Sequence, residues 1–143
     1  MTAPVGSPSE TCPLDPSASP LVGDSVRFTL SLYKEIASID NANIFLSPIS
    51  IFCALGMTYF GARGVTQQQM NDTMFLRNVD PSSLGCAFML LCTKWSQLNV
   101  NPSSYDLYLA NRIYLDEEFY ILPDYAYEVR TYFDSSLKEV DFR

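Results

Sequence analysis

A chain of 143 residues, 48% apolar and 13% aromatic with only 17% charged, has the length and composition of one globular domain rather than of a disordered segment. Its net charge of -7, with nine basic residues scattered from Arg27 to Arg143, argues against a nucleic-acid partner and against an electrostatic membrane patch. The absence of histidine removes Ser-His-Asp and Cys-His catalytic pairs, HExxH zinc helices and histidine pH switches.

Residues 1–19, rich in Pro, Ser and Thr and without apolar period, predict a disordered leader; residues 20–143 predict the folded part. The leader holds no apolar stretch of the secretory kind, so the cytoplasm is the default expectation, with export by another route or missing upstream sequence left open. Ser19 and Pro20 supply the cap and first position of a helix of about five turns. Val22, Val26, Leu30 and Tyr33 recur along it at helical spacing, and Phe28, Leu32 and Ile36 form a second apolar row. Asp40 to Asn43 reads as a turn and Ile44 to Leu46 as a short strand. Ser47-Pro48 then opens a helix, Ile49 to Phe60, that is apolar almost all round and so predicts burial in a larger protein. Gly61 and Gly64 bracket its exit.

Thr66 to Gln69 has the spacing of a capping box and predicts a short helix carrying Met70 and Met74. Asp80-Pro81 opens the next helix, with Leu84, Ala87, Phe88, Leu91, Trp95 and Leu98 on its inner face, and Asn101-Pro102 marks a loop. From Tyr105 the period becomes two: Tyr105, Leu107, Leu109 and Ile113 share one strand face, Tyr108, Ala110 and Tyr114 the other. Asp116 to Glu118 is a solvated turn. Pro123 starts a helix with Tyr125, Val129, Tyr132 and Phe133 inward, and Leu137 to Phe142 reads as a last strand. The result is an α+β chain of about five helices with three strands and an incomplete central sheet.

The four cysteines, Cys12, Cys53, Cys86 and Cys92, include no CxxC pair and are too sparse for a disulfide scaffold, so free thiols are expected, Cys53 buried. No metal site or cofactor is expected, and no enzyme: the Gly61-Ala62-Arg63-Gly64 turn lacks the Lys-Ser/Thr of a phosphate loop. Asn71-Asp72-Thr73 fits the glycosylation pattern and is expected to be unmodified without a visible signal.

Asn43-Ile44-Phe45-Leu46-Ser47-Pro48-Ile49-Ser50-Ile51 resembles the N-x-x-x-S-P-x-S-I segment of the serpins. The register continues into Gly61 and Thr66, Ala110 to Tyr114 looks like a central-sheet stretch of that family, and Asp141 and Phe142 fall on further scaffold positions. The resemblance runs over residues 20–143 and implies the N-terminal portion of a serpin: helices A to E, the first strand of the B-sheet region, and strands two and one of sheet A. It implies a parent protein that inhibits serine or cysteine proteases by cleavage of a reactive loop and its insertion into the central sheet. That loop lies near the C-terminus in the family and is absent from these residues. A non-inhibitory binding, carrier or chaperone role on the same scaffold is the alternative.

Asn43, Ser47, Pro48 and Ser50 have an ordinary reading as turn, cap and helix start. The resemblance adds a second, as the shutter beneath the opening of the sheet. Asn111, polar in an apolar strand, is either a bulge or edge residue or part of the same hinge. The helix from Pro81 resembles one that binds glycosaminoglycans in some serpins; here it carries only Lys94, so no heparin site is expected.

Overall fold

The computed structural model describes residues 12, 20–39, 42–94 and 111–143, with the backbone alone at 93 and 94. The described residues hold five helices and two strands, the helices being α1 (Pro20–Ile39), α2 (Pro48–Gly61), α3 (Gly64–Thr73), α4 (Leu84–Lys94) and α5 (Pro123–Phe133). A 3-10 turn, Leu76–Asn78, joins α3 toward α4. Two strands, β1 (Ile113–Asp116) and β2 (Leu137–Val140), flank α5 in sequence and pair in parallel, Ile113 opposite Leu137 and Asp116 opposite Val140. Parallel pairing follows from the connection, because a helix must carry the chain back before the second strand can run the same way.

The predicted leader lies outside the described residues except for Cys12, as do Trp95, Leu98, the Asn101-Pro102 loop and the strand stretch from Tyr105 to Ala110. Among the described residues no helix is long and apolar enough to cross a membrane.

A relay of rings holds the helices together. Phe28 of α1 meets Phe52 of α2 at 5.3 Å, Phe52 meets Phe88 of α4 at 5.6 Å, and Phe88 meets Phe133 of α5 at 5.3 Å. Phe60 closes the group against Phe88 and Phe133. Each such pair adds about 0.5–1.5 kcal/mol to the burial of its rings. Two glycines let the helices come this close. A Cβ on Gly56 would lie 2.4 Å from the Phe88 ring, and one on Gly85 would lie 2.4 Å from the ring of Tyr132.

Five expectations are corrected. The helix expected to open at Asp80-Pro81 begins at Leu84, because residues 81–83 form a turn in which the Asp80 carboxylate accepts the Ser82 N–H and hydroxyl. The cysteines are not free: Cys12 is bonded to Cys86 and Cys53 to Cys92, with Cα separations of 5.5 and 6.1 Å that suit a bridge. Spacing along the sequence hid this, because each pair is assembled by helix packing across long separations. Residues 44–46 form no strand; Phe45 is fully exposed, and among the described residues no backbone pairs with this segment to make a ladder. The capping box at Thr66 is not formed either. Helix α3 begins two residues earlier at Gly64, whose φ of +62° only glycine adopts freely, so Thr66 already lies inside the helix. On α1 the buried face is Leu21, Asp24, Ser25 and Phe28, whereas Val26, Leu30 and Tyr33 are exposed. Periodicity marks apolar faces but not which of them a neighbour covers.

Candidate functional site

The segment entering α2 carries the residues singled out above. Asn43 is exposed. Ser47 stands at the N-cap in extended conformation, and Pro48 takes the first helical position, where its missing N–H leaves no donor unsatisfied. The Ser47 carbonyl accepts the Ile51 N–H at 3.2 Å, so the backbone start is as the sequence predicts. The Ser47 hydroxyl, however, makes no capping bond. Its Oγ lies 3.0 Å from the Oγ of Ser50, one helical turn on. The pair sits near the surface and keeps acceptor capacity that the helix itself does not use.

Asn111 precedes β1 and is half-buried. Its carbonyl accepts a hydrogen bond from the buried hydroxyl of Ser135 at 2.7 Å, which ties the entry of β1 to the link between α5 and β2. Among the described residues no hydrogen bond joins this pair to the Ser47–Ser50 pair.

Gly61 ends α2 against the ring of Tyr125, which a Cβ there would approach to 3.0 Å. The Tyr125 hydroxyl donates to the Met57 carbonyl at 3.1 Å, and burial, with a smaller effect from Glu128, holds its pKa above the ordinary value. Thr66 is exposed on α3. Asp141 accepts the Arg143 N–H at 2.8 Å, and Arg143 also pairs with Glu118. Phe142 is exposed and lies outside β2, contrary to the expected strand through residue 142: Val140 is already paired with Asp116, the last residue of β1.

Two further residues stand out. Asp24 is only 4% exposed, its Oδ2 has no hydrogen-bond partner, and desolvation raises its pKa against a lowering pull from Arg27. The Asn71 Oδ1 is also buried without a partner, within α3. A surface cavity of about 660 Å³ lies beside β2 and α5; its lining mixes Arg130 and Lys138 with Glu117, Glu118 and Glu139 and so selects no charge.

Comparison with known proteins identifies the family. The family described as Serpin (serine protease inhibitor) matches residues 24–143. The chain is 38% identical over 118 residues to the leukocyte elastase inhibitor of Xenopus tropicalis, covering 81% of this chain and 30% of that protein. It is 31% identical over 119 residues to Serpin I2 of Homo sapiens, covering 83% and 29% respectively. Among solved structures, emu ovalbumin aligns with a TM-score of 0.73 and 25% identity over 85% of this chain and 34% of that one. The fold is thus that of a partial serpin scaffold, α+β with an incomplete sheet, and the chain belongs to the serpin family. It spans about three-tenths of the length of the curated relatives it matches.

Proposed function

We propose that this chain is the N-terminal scaffold of a serpin whose whole protein inhibits a serine, or a cysteine, endopeptidase by cleavage and insertion of a reactive loop. The observation that carries the reading is its 38% identity to a protein named leukocyte elastase inhibitor. In such a reaction the protease nucleophile attacks a loop carbonyl, the peptide bond breaks, and the acylated loop adds to the central sheet as a new strand. The larger sheet buries more backbone and apolar surface, which drives the step.

The residues of this chain act as hinge and frame. Ser47 and Ser50, freed from capping and bonded to each other, hold hydroxyls at the amino end of α2 where an overlying strand can exchange for them. Asn43 and Pro48 fix the approach of the chain to that end. Asn111, held by Ser135, anchors the entry of β1. Gly61, Thr66, Asp141 and Phe142 serve as frame. None of these residues performs catalysis; the chemistry belongs to the protease. Nucleic acid, membrane and heparin are not partners in this reading, which suits the net charge of -7.

The test is incubation of the whole protein with an elastase-like serine protease, followed by denaturing electrophoresis. A covalent complex of summed mass is the expected result, and residues 1–143 alone are expected to form none. Simple cleavage of the whole protein without a complex, across serine and cysteine proteases, would replace this reading with a binding or carrier role.

A further inference from the structure

The two disulfides end on one helix and differ in what protects them. Cys86 and Cys92 are the third and ninth residues of α4. Cys53 and Cys92 are both buried in the core, and their bond joins the middle of α2 to α4 beside the contact of Gly56 with Phe88. Cys12 and Cys86 are both half-buried, and their bond ties the segment ahead of α1 to the first turn of α4 across 74 residues. Thiol–disulfide exchange needs a thiolate to reach a sulfur along the S–S axis. A half-buried bridge admits that approach in the folded protein. A buried one admits it only when α2 and α4 part, which is a sub-global opening of the core.

We propose that Cys12–Cys86 is a reducible clasp joining Cys12 to α4, and that Cys53–Cys92 is a lock that stays closed while the helical core is folded. The clasp opens by reaction with two thiols of the glutathione class. The first, as thiolate, forms a mixed disulfide with one cysteine and expels the other; the second displaces the first and leaves with it as oxidised glutathione. Two electrons pass to the bridge, and the two thiol protons end on Cys12 and Cys86. The protein therefore takes its closed form in an oxidising compartment. Contact with a reducing one parts Cys12 from Cys86 and leaves the core intact.

The experiment uses protein isolated without reductant, exposed to stepped concentrations of reduced glutathione, trapped with N-ethylmaleimide and mapped by peptide mass. No cysteine should be labelled at the start. Cys12 and Cys86 should then label together, while Cys53 and Cys92 should label only once urea is added to the glutathione. In the Cys12→Ser variant, Cys86 should label at once and Cys53 and Cys92 should not. Labelling of all four before glutathione, or of Cys53 and Cys92 as fast as Cys12 and Cys86, overturns the proposal. The order in the unmodified protein decides this however the variant folds.

Discussion

Asp24 is the residue at which the physical demand is least well met. Its carboxyl is buried with one oxygen unpartnered, and burial raises its pKa while Arg27 offsets only part of that. A carboxyl whose folded pKa exceeds its unfolded value weakens the fold above that folded pKa, and the penalty fades as pH falls toward 3.8. Asp24→Asn should therefore raise the urea midpoint near neutral pH and lose that advantage in acid, which paired denaturation curves will read. Ser47 offers a different kind of test. A capping serine replaced by alanine usually costs about 0.5–2 kcal/mol. Because the Ser47 hydroxyl makes no capping bond, Ser47→Ala should cost no more than about 0.5 kcal/mol. In the proposed hinge role it should instead shift the whole protein's products from covalent complex toward cleaved inhibitor, read by densitometry. The position of Ser47 was legible as Ser-Pro before an apolar run; the use of its hydroxyl was not, because a rotamer is chosen by neighbours.

Helix boundaries followed closely from Pro20, Pro48 and Pro123, since proline at a first helical position removes a donor that has no partner there anyway. Helix faces followed less well. Gly56 illustrates why: within an apolar run it looks like a weak helix residue, and only the approach of α4 shows that it makes room for Phe88. Gly56→Ala should cost about 1–3 kcal/mol through forced repacking, measured by urea unfolding. Tyr125 shows the same dependence across α2 and α5. The sequence placed it inward by period, but its hydroxyl reaches the Met57 carbonyl, 68 residues away in the chain. Tyr125→Phe should cost about 1 kcal/mol by the same measurement, leaving the ring contact with Gly61 in place. The strand expected at residues 44–46 failed for the complementary reason: β-structure is a property of pairs, and among the described residues no backbone pairs with Ile44 to Leu46.

For the molecule as a whole, the disulfides change the thermodynamic picture most. Cys53–Cys92 closes a span of 39 residues, and chain entropy assigns such a loop about 4 kcal/mol. The paired change Cys53→Ala with Cys92→Ala should lower stability by about 2–4 kcal/mol, since relaxation of the native state returns part of that figure. Urea unfolding of this variant against the oxidised protein checks it. A loss much larger than this would mean that the bridge also holds α2 and α4 in register. The exposed apolar residues Val26, Leu30 and Tyr33 belong to this scale as well, because in a family whose members are about three times longer the burial of a face depends on the whole protein.

The sequence by itself determined the helix starts at Pro20, Pro48 and Pro123, the inward residues Phe88, Val129 and Phe133, the α+β class and the resemblance to the serpins, because local propensity and periodicity act over one or two turns. Tertiary structure alone decided which side of α1 is buried, that Ser135 holds Asn111, and that four cysteines pair two by two. Each of these joins groups far apart in the chain, and the free energy that selects them arises only once the helices have packed.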